Sequence, residues 1–130
     1  MKKIVLMIFS VSLLFGEHIH WFGKYNIALE NAKQNNKPLM VLLVEGGSAS
    51  SKMIVAKLFT NKPYVGQLNR KVVSVLVDVN TKTNYPNEML WSNTYPKIFF
   101  LNSDNEIFLH PVLDASTTPD ELLRVIKALN

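Results

Sequence analysis

At 130 residues, with 48% of them hydrophobic and 18% charged, the chain suits one globular domain with a single modest core and excludes a disordered or multi-domain protein. It contains no cysteine, which excludes a disulfide framework and any thiol chemistry. The formal charge of +4 is not laid out as a basic stripe interleaved with aromatics, so no nucleic-acid partner is expected.

The chain opens with a short positive region, Lys2-Lys3, then an apolar run from Ile4 to Phe15, then the small residue Gly16. That pattern reads as a signal peptide over 1–16, leaving a folded domain over 17–130 and implying export, with the periplasm as the expected location. A membrane-spanning helix needs about 20 apolar residues, so no stable membrane span is expected after cleavage. Without Lys2 and Lys3 the formal charge falls from +4 to +2.

Glu17 to Trp21 alternates and reads as a short strand or extended lead-in, with His18 and His20 on one side. Two histidines so spaced are metal-ligand types. A solvated edge accounts for them more simply, and no metal site is expected. Tyr25 to Asn35 has helical apolar spacing and ends before Pro38. Leu39 to Val44 is an unbroken apolar run, as in a strand buried on both faces.

Glu45-Gly46-Gly47 breaks that strand, and Ser48 to Ser51 caps a helix running from about Ser50 to Leu58 or Phe59. A strand, glycine turn and helix N-terminus bring backbone N–H groups and a positive helix end to one place. The chemistries usually built there are not matched. The Gly46-Gly47-Ser48 run lacks the last glycine of a nucleophile elbow, and the P-loop pattern is absent. A serine used as a helix cap is the simpler reading.

Tyr64 to Asn69 reads as a short helix and Val72 to Asp78 as a β-branched strand that Asp78 ends. Pro86 to Trp91 reads as one helical segment with proline first. Lys97 to Leu101 and Glu106 to His110 read as the third and fourth strands, an antiparallel hairpin across the Asn102–Asn105 turn. Thr118, Pro119 and Glu121 form a capping box that opens a final helix with Leu122, Val125, Ile126 and Leu129 inward. The predicted architecture is α/β, a four-stranded mixed sheet flanked by helices.

This order, with these residues, resembles the thioredoxin family over nearly all of 17–130. Trp21, Tyr25, Ala28-Leu29, Ala32-Lys33 and Asn36-Lys37-Pro38 are similar to the lead-in of small exported members, and Leu39–Val44 to their central strand. Ser48-Ala49-Ser50-Ser51-Lys52-Met53-Ile54 falls where the family carries Cys-x-x-Cys-Lys-Met-Ile. Thr94-Tyr95-Pro96-Lys97 resembles the segment with the cis-proline. The resemblance implies a peptide groove lined by Gly47, Ser48, Ser51, Tyr95 and Pro96. It also implies thiol–disulfide exchange, which Ser48 and Ser51 cannot perform. Leu42 and Gly47 stand where redox members often carry a buried acid and a tryptophan. Three parts of the redox apparatus are therefore missing together. The expectation is an exported thioredoxin-like protein with no cofactor and no catalytic residue, leaning away from an enzyme, that binds a protein or peptide in the cell envelope. The alternative is a thiol–disulfide oxidoreductase whose cysteines have been replaced by serine.

Overall fold

The computed structural model describes residues 18–81 and 84–129; the segment read as a signal peptide lies outside them. The elements in chain order are β1 (Trp21–Phe22), α1 (Tyr25–Gln34), β2 (Leu39–Val44), α2 (Ala49–Phe59), α3 (Val65–Lys71), β3 (Val73–Asp78), β4 (Lys97–Leu101), β5 (Leu113–Asp114) and α4 (Pro119–Ala128).

All six residues of β2 are buried, because the strand lies mid-sheet with helices on both faces. It pairs in parallel with β3, Leu39 opposite Val73 and Val44 opposite Asp78. On its other side it runs antiparallel to β4, Leu39 opposite Leu101 and Leu43 opposite Lys97. Its alternation divides the interior in two. Leu39, Val41 and Leu43 pack with Ala28 and Ala32 of α1. Met40, Leu42 and Val44 pack with Ile54 and Leu58 of α2, Leu68 of α3 and Leu122 and Ile126 of α4. Each fully buried aliphatic side chain stabilises the fold by roughly 1.5–3 kcal/mol relative to exposure.

The sheet has five strands in the order β1-β3-β2-β4-β5, one more than the four expected. The extra edge strand is the lead-in, where Trp21 and Phe22 pair in parallel with Ser74 and Val75. Asn69 holds that lead-in: its side chain accepts from the His20 N–H at 3.1 Å and donates to the His18 carbonyl at 2.9 Å.

The fourth strand is not where the sequence put it. Glu106 to His110 makes a single bridge, Leu101 to Phe108, and ladder pairing resumes at Leu113, opposite Ile98. The register moves by two residues between these points, so the returning strand bulges. Pro111 lies inside the bulge and has no N–H to donate. Glu106, at φ +57°, closes the turn after Asn102, and pairing lasts only to the Leu109 N–H, which bonds the Phe100 carbonyl at 2.8 Å. The segment from Pro86 closes only one turn, with the Met89 and Leu90 N–H groups bonding the Pro86 carbonyl. So short a segment falls below the length at which a helix propagates.

α4 starts as its sequence dictates. The Thr118 hydroxyl accepts from the Glu121 N–H at 3.2 Å, and a Glu121 carboxylate oxygen accepts from the Thr118 N–H at 3.4 Å. At its far end the Lys71 ammonium bonds the Ile126 carbonyl at 3.0 Å, a cation at the negative end of a helix.

Candidate functional site

The site is built at the end of the sheet where β2 and β3 finish and β4 begins. The Val79 N–H bonds the Val44 carbonyl at 2.9 Å, keeping β2 and β3 together past their last strand residues. The chain then turns, with the Ser48 N–H bonding the Glu45 carbonyl at 3.1 Å and Gly47 at φ +83°, a conformation that other residues resist. Gly46 is required for a different reason. A Cβ there would run into the Asp78 side chain, its Cγ only 2.8 Å away. The Asp78 carboxylate instead accepts from the Gly46 N–H at 3.0 Å and the Asn80 N–H at 2.9 Å. Asp78 thus ends β3 and straps its tip to the turn after β2.

Ser48 is the N-cap of α2, its hydroxyl oxygen accepting from the Ser51 N–H at 3.1 Å. The same hydroxyl donates to the Ser51 Oγ at 2.8 Å, and that oxygen also accepts from the Glu45 N–H at 3.2 Å. Ser51 is buried and Ser48 half-buried. The two side chains are therefore in direct contact and consumed by the turn. No histidine or carboxylate among the described residues bonds either hydroxyl, so neither has a base to activate it. His18 and His20 are exposed on the β1 lead-in, with Ile19 buried between them. The His110 ring bonds the neighbouring Pro111 carbonyl. No group of three His, Asp or Glu among the described residues is placed to hold a metal.

The Tyr95–Pro96 peptide bond is cis. Pro96 is buried and Tyr95 half-buried. Since Lys97 lies opposite Leu43, the register brings Pro96 to the end of β2, beside the Gly47–Ser51 turn. The structure thus sets Gly47, Ser48, Ser51, Tyr95 and Pro96 at one end of the sheet. Only the serines touch through a hydrogen bond. The Tyr95 N–H and carbonyl carry no backbone hydrogen bond to a described residue.

Other residues complete this surface, and the sequence reading missed them. A hollow of about 250 Å3 is lined by Thr94, Tyr95, Pro96, Lys97, Asp114, Ala115 and Ser116. It shares Ala115 with a smaller apolar hollow against Ser50, Met53, Ile54 and Lys57 on α2. The Lys57 ammonium bonds the Ala115 carbonyl at 2.6 Å and closes that junction. The carboxyl of Asp114 is held below the usual carboxylate range, first by the Ser116 hydroxyl and N–H bonded to it, then by Lys97 and Lys57 nearby. These residues enter the site only because β5 pairs with β4, and nothing local in their sequence announces it.

Several solved structures share this fold. A DsbH oxidoreductase superposes with a TM-score of 0.69 at 16% identity, covering 87% of this chain and 85% of its own. A thioredoxin from Thermus thermophilus gives 0.69 at 18% identity, covering 85% and 86%. The fold is thioredoxin-like. The reduced C-terminal domain of Neisseria meningitidis DsbD agrees, with a TM-score of 0.61 at 19% identity over 81% of this chain and 93% of that one. No family model and no curated protein matches the sequence. Within this thioredoxin-like frame the chain carries no cysteine. Leu42 is fully buried and apolar on the α2 face of β2, and no helix among the described residues is long and apolar enough to cross a membrane.

Proposed function

We propose that the chain is an exported thioredoxin-like protein, cut from a signal peptide near Gly16, that binds an extended polypeptide in the cell envelope without redox chemistry. One observation carries this reading. The turn and helix N-terminus on which the fold builds its exchange site are present, but Ser48 and Ser51 occupy it and bond each other at 2.8 Å. A hydroxyl does not cycle to a disulfide. The surface beside it keeps what binding needs: Tyr95 offers, next to Pro96, an N–H and a carbonyl with no backbone hydrogen bond to a described residue. An extended segment lying there gains main-chain hydrogen bonds by strand addition. Gly47 leaves room for its backbone, and Ser48 and Ser51 form the floor.

The test is an NMR titration of the labelled protein with an unfolded, thiol-blocked polypeptide. Shifts concentrated at Gly47, Ser48, Ser51 and Tyr95 are expected. A titration that leaves all four unmoved would sink the reading.

The contact between the serine hydroxyls favours a second reading, that of a thiol–disulfide oxidoreductase with its cysteines replaced. Side chains that touch at 2.8 Å sit close enough for cysteines in their places to approach bonding distance. On that reading the double variant Ser48→Cys/Ser51→Cys reduces or oxidises a disulfide substrate. A restored protein inert in both directions eliminates it.

A further inference from the structure

Beyond Tyr95 the surface continues into a third and larger hollow, about 660 Å3, lined by Tyr85, Asn87, Glu88, Leu90, Trp91 and Tyr95. Tyr95 belongs to both this hollow and the one over Pro96, so the two adjoin at that residue. Leu90 is fully buried and fixes the floor, while Trp91 is 69% exposed. Tyr85 and Tyr95 are half-buried, their inner sides packed on the α1 core. Three aromatic rings and one carboxylate, that of Glu88, therefore share one open hollow. No lysine or arginine among the described residues lines it.

The chemistry of that lining selects a cation. Aromatic faces carry the negative side of a quadrupole and attract ammonium and guanidinium groups, tryptophan most strongly. Glu88 adds a formal negative charge, and Asn87 a carbonyl acceptor. An apolar occupant would gain the rings but nothing from Glu88 or Asn87, which are exposed and stay hydrated. We propose that this hollow binds the side chain of an arginine or lysine carried by the extended polypeptide that lies over Tyr95 and Pro96. This rests on the groove reading above, because Tyr95 is the shared wall that continues the polypeptide's path into the hollow.

The experiment uses the full chain and two short blocked alanine-based peptides, one with a single arginine and one with citrulline in its place. Citrulline keeps the shape and removes the charge. Two sets of NMR signals are followed: the Trp91 indole N–H, and the amides of Gly47, Ser48 and Ser51. The arginine peptide is expected to move both sets, and the citrulline peptide to bind about five-fold more weakly, as a cation–aromatic contact requires. Trp91→Ala and Glu88→Gln change exposed side chains and should each abolish the difference between the peptides. Equal binding of the two peptides, or a preference that survives both variants, overturns the cation inference. If the Gly47–Ser51 amides still move in that case, the groove reading stands alone. Movement of the Trp91 indole alone keeps a cation site in the hollow but overturns a groove-bound polypeptide as its source. No movement in either set overturns both.

Discussion

The turn Glu45–Ser51 and the segment Tyr85–Pro96 lie at the same end of the sheet and spend their side chains in opposite ways. In the turn, polar groups bond inward. Gly46 donates to Asp78, Glu45 donates to Ser51, and each serine is bonded to the other. In the segment, Leu90 and Pro96 are buried, while Trp91 stands in solvent and Tyr85 and Tyr95 are half-covered. The first region is a closed piece of architecture, with its hydroxyls committed to capping α2. The second holds unspent aromatic surface. The turn keeps its shape without cysteine, because the hydrogen bonds holding it do not need sulfur. The exposed aromatic surface lies beside the turn rather than in it.

The sharpest way to break this contrast is through Leu90, the buried aliphatic residue of the open segment. Leu90→Ala should cost about 3 kcal/mol of stability, from lost burial and the cavity left behind, read by urea denaturation. A cost near zero would mean that the aromatic hollow has no fixed floor. Next comes Gly46→Ala, which forces a methyl against the Asp78 carboxylate and should cost about 2 kcal/mol as an overpacked site. Adding Asp78→Ala to that chain should recover part of the loss, since the two residues share one contact and their effects do not add. Simple additivity in that double variant would show that the strap between β3 and the turn is not what makes glycine necessary.

Smaller effects sharpen the comparison. Ser48→Ala removes the α2 cap and should cost about 1 kcal/mol, whereas Trp91→Ala, at an exposed ring, should fall within about 0.5 kcal/mol. If the order of these two were reversed, the assignment of cap to the turn and free surface to the segment would be wrong. The smallest effect belongs to Asp114. Its carboxyl is lowered in the folded state, so its contribution is present above the unfolded-state pKa and fades as pH falls through the folded value. Because the group is exposed, solvent screens that contribution to a slight acid-side slope. Ser116→Ala should move the Asp114 carboxyl back toward the usual range by NMR and flatten the slope.

Sequence by itself determined the elements whose causes are local. The continuous apolar run of Leu39–Val44 has no face to give to water, so it must be an inner strand. Thr118, Pro119 and Glu121 start α4 through contacts three residues apart. Ser48 caps α2 for the same reason, and the order of these pieces is what resembled the thioredoxin family. Tertiary structure alone decided the rest. The lead-in joins the sheet as β1 because Asn69 and β3 capture it, and ladder pairing resumes at Leu113 rather than running through Glu106–His110 because the strand bulges at Pro111, which cannot donate. The need for glycine at 46 comes from a carboxylate 32 positions away. The surface around Tyr95 draws on α2, the 85–96 segment and the β5 turn, which touch only once the sheet is ordered. A local pattern records a contact between near neighbours in the chain. It carries no trace of which distant segment will close a hollow, because that depends on strand order and register.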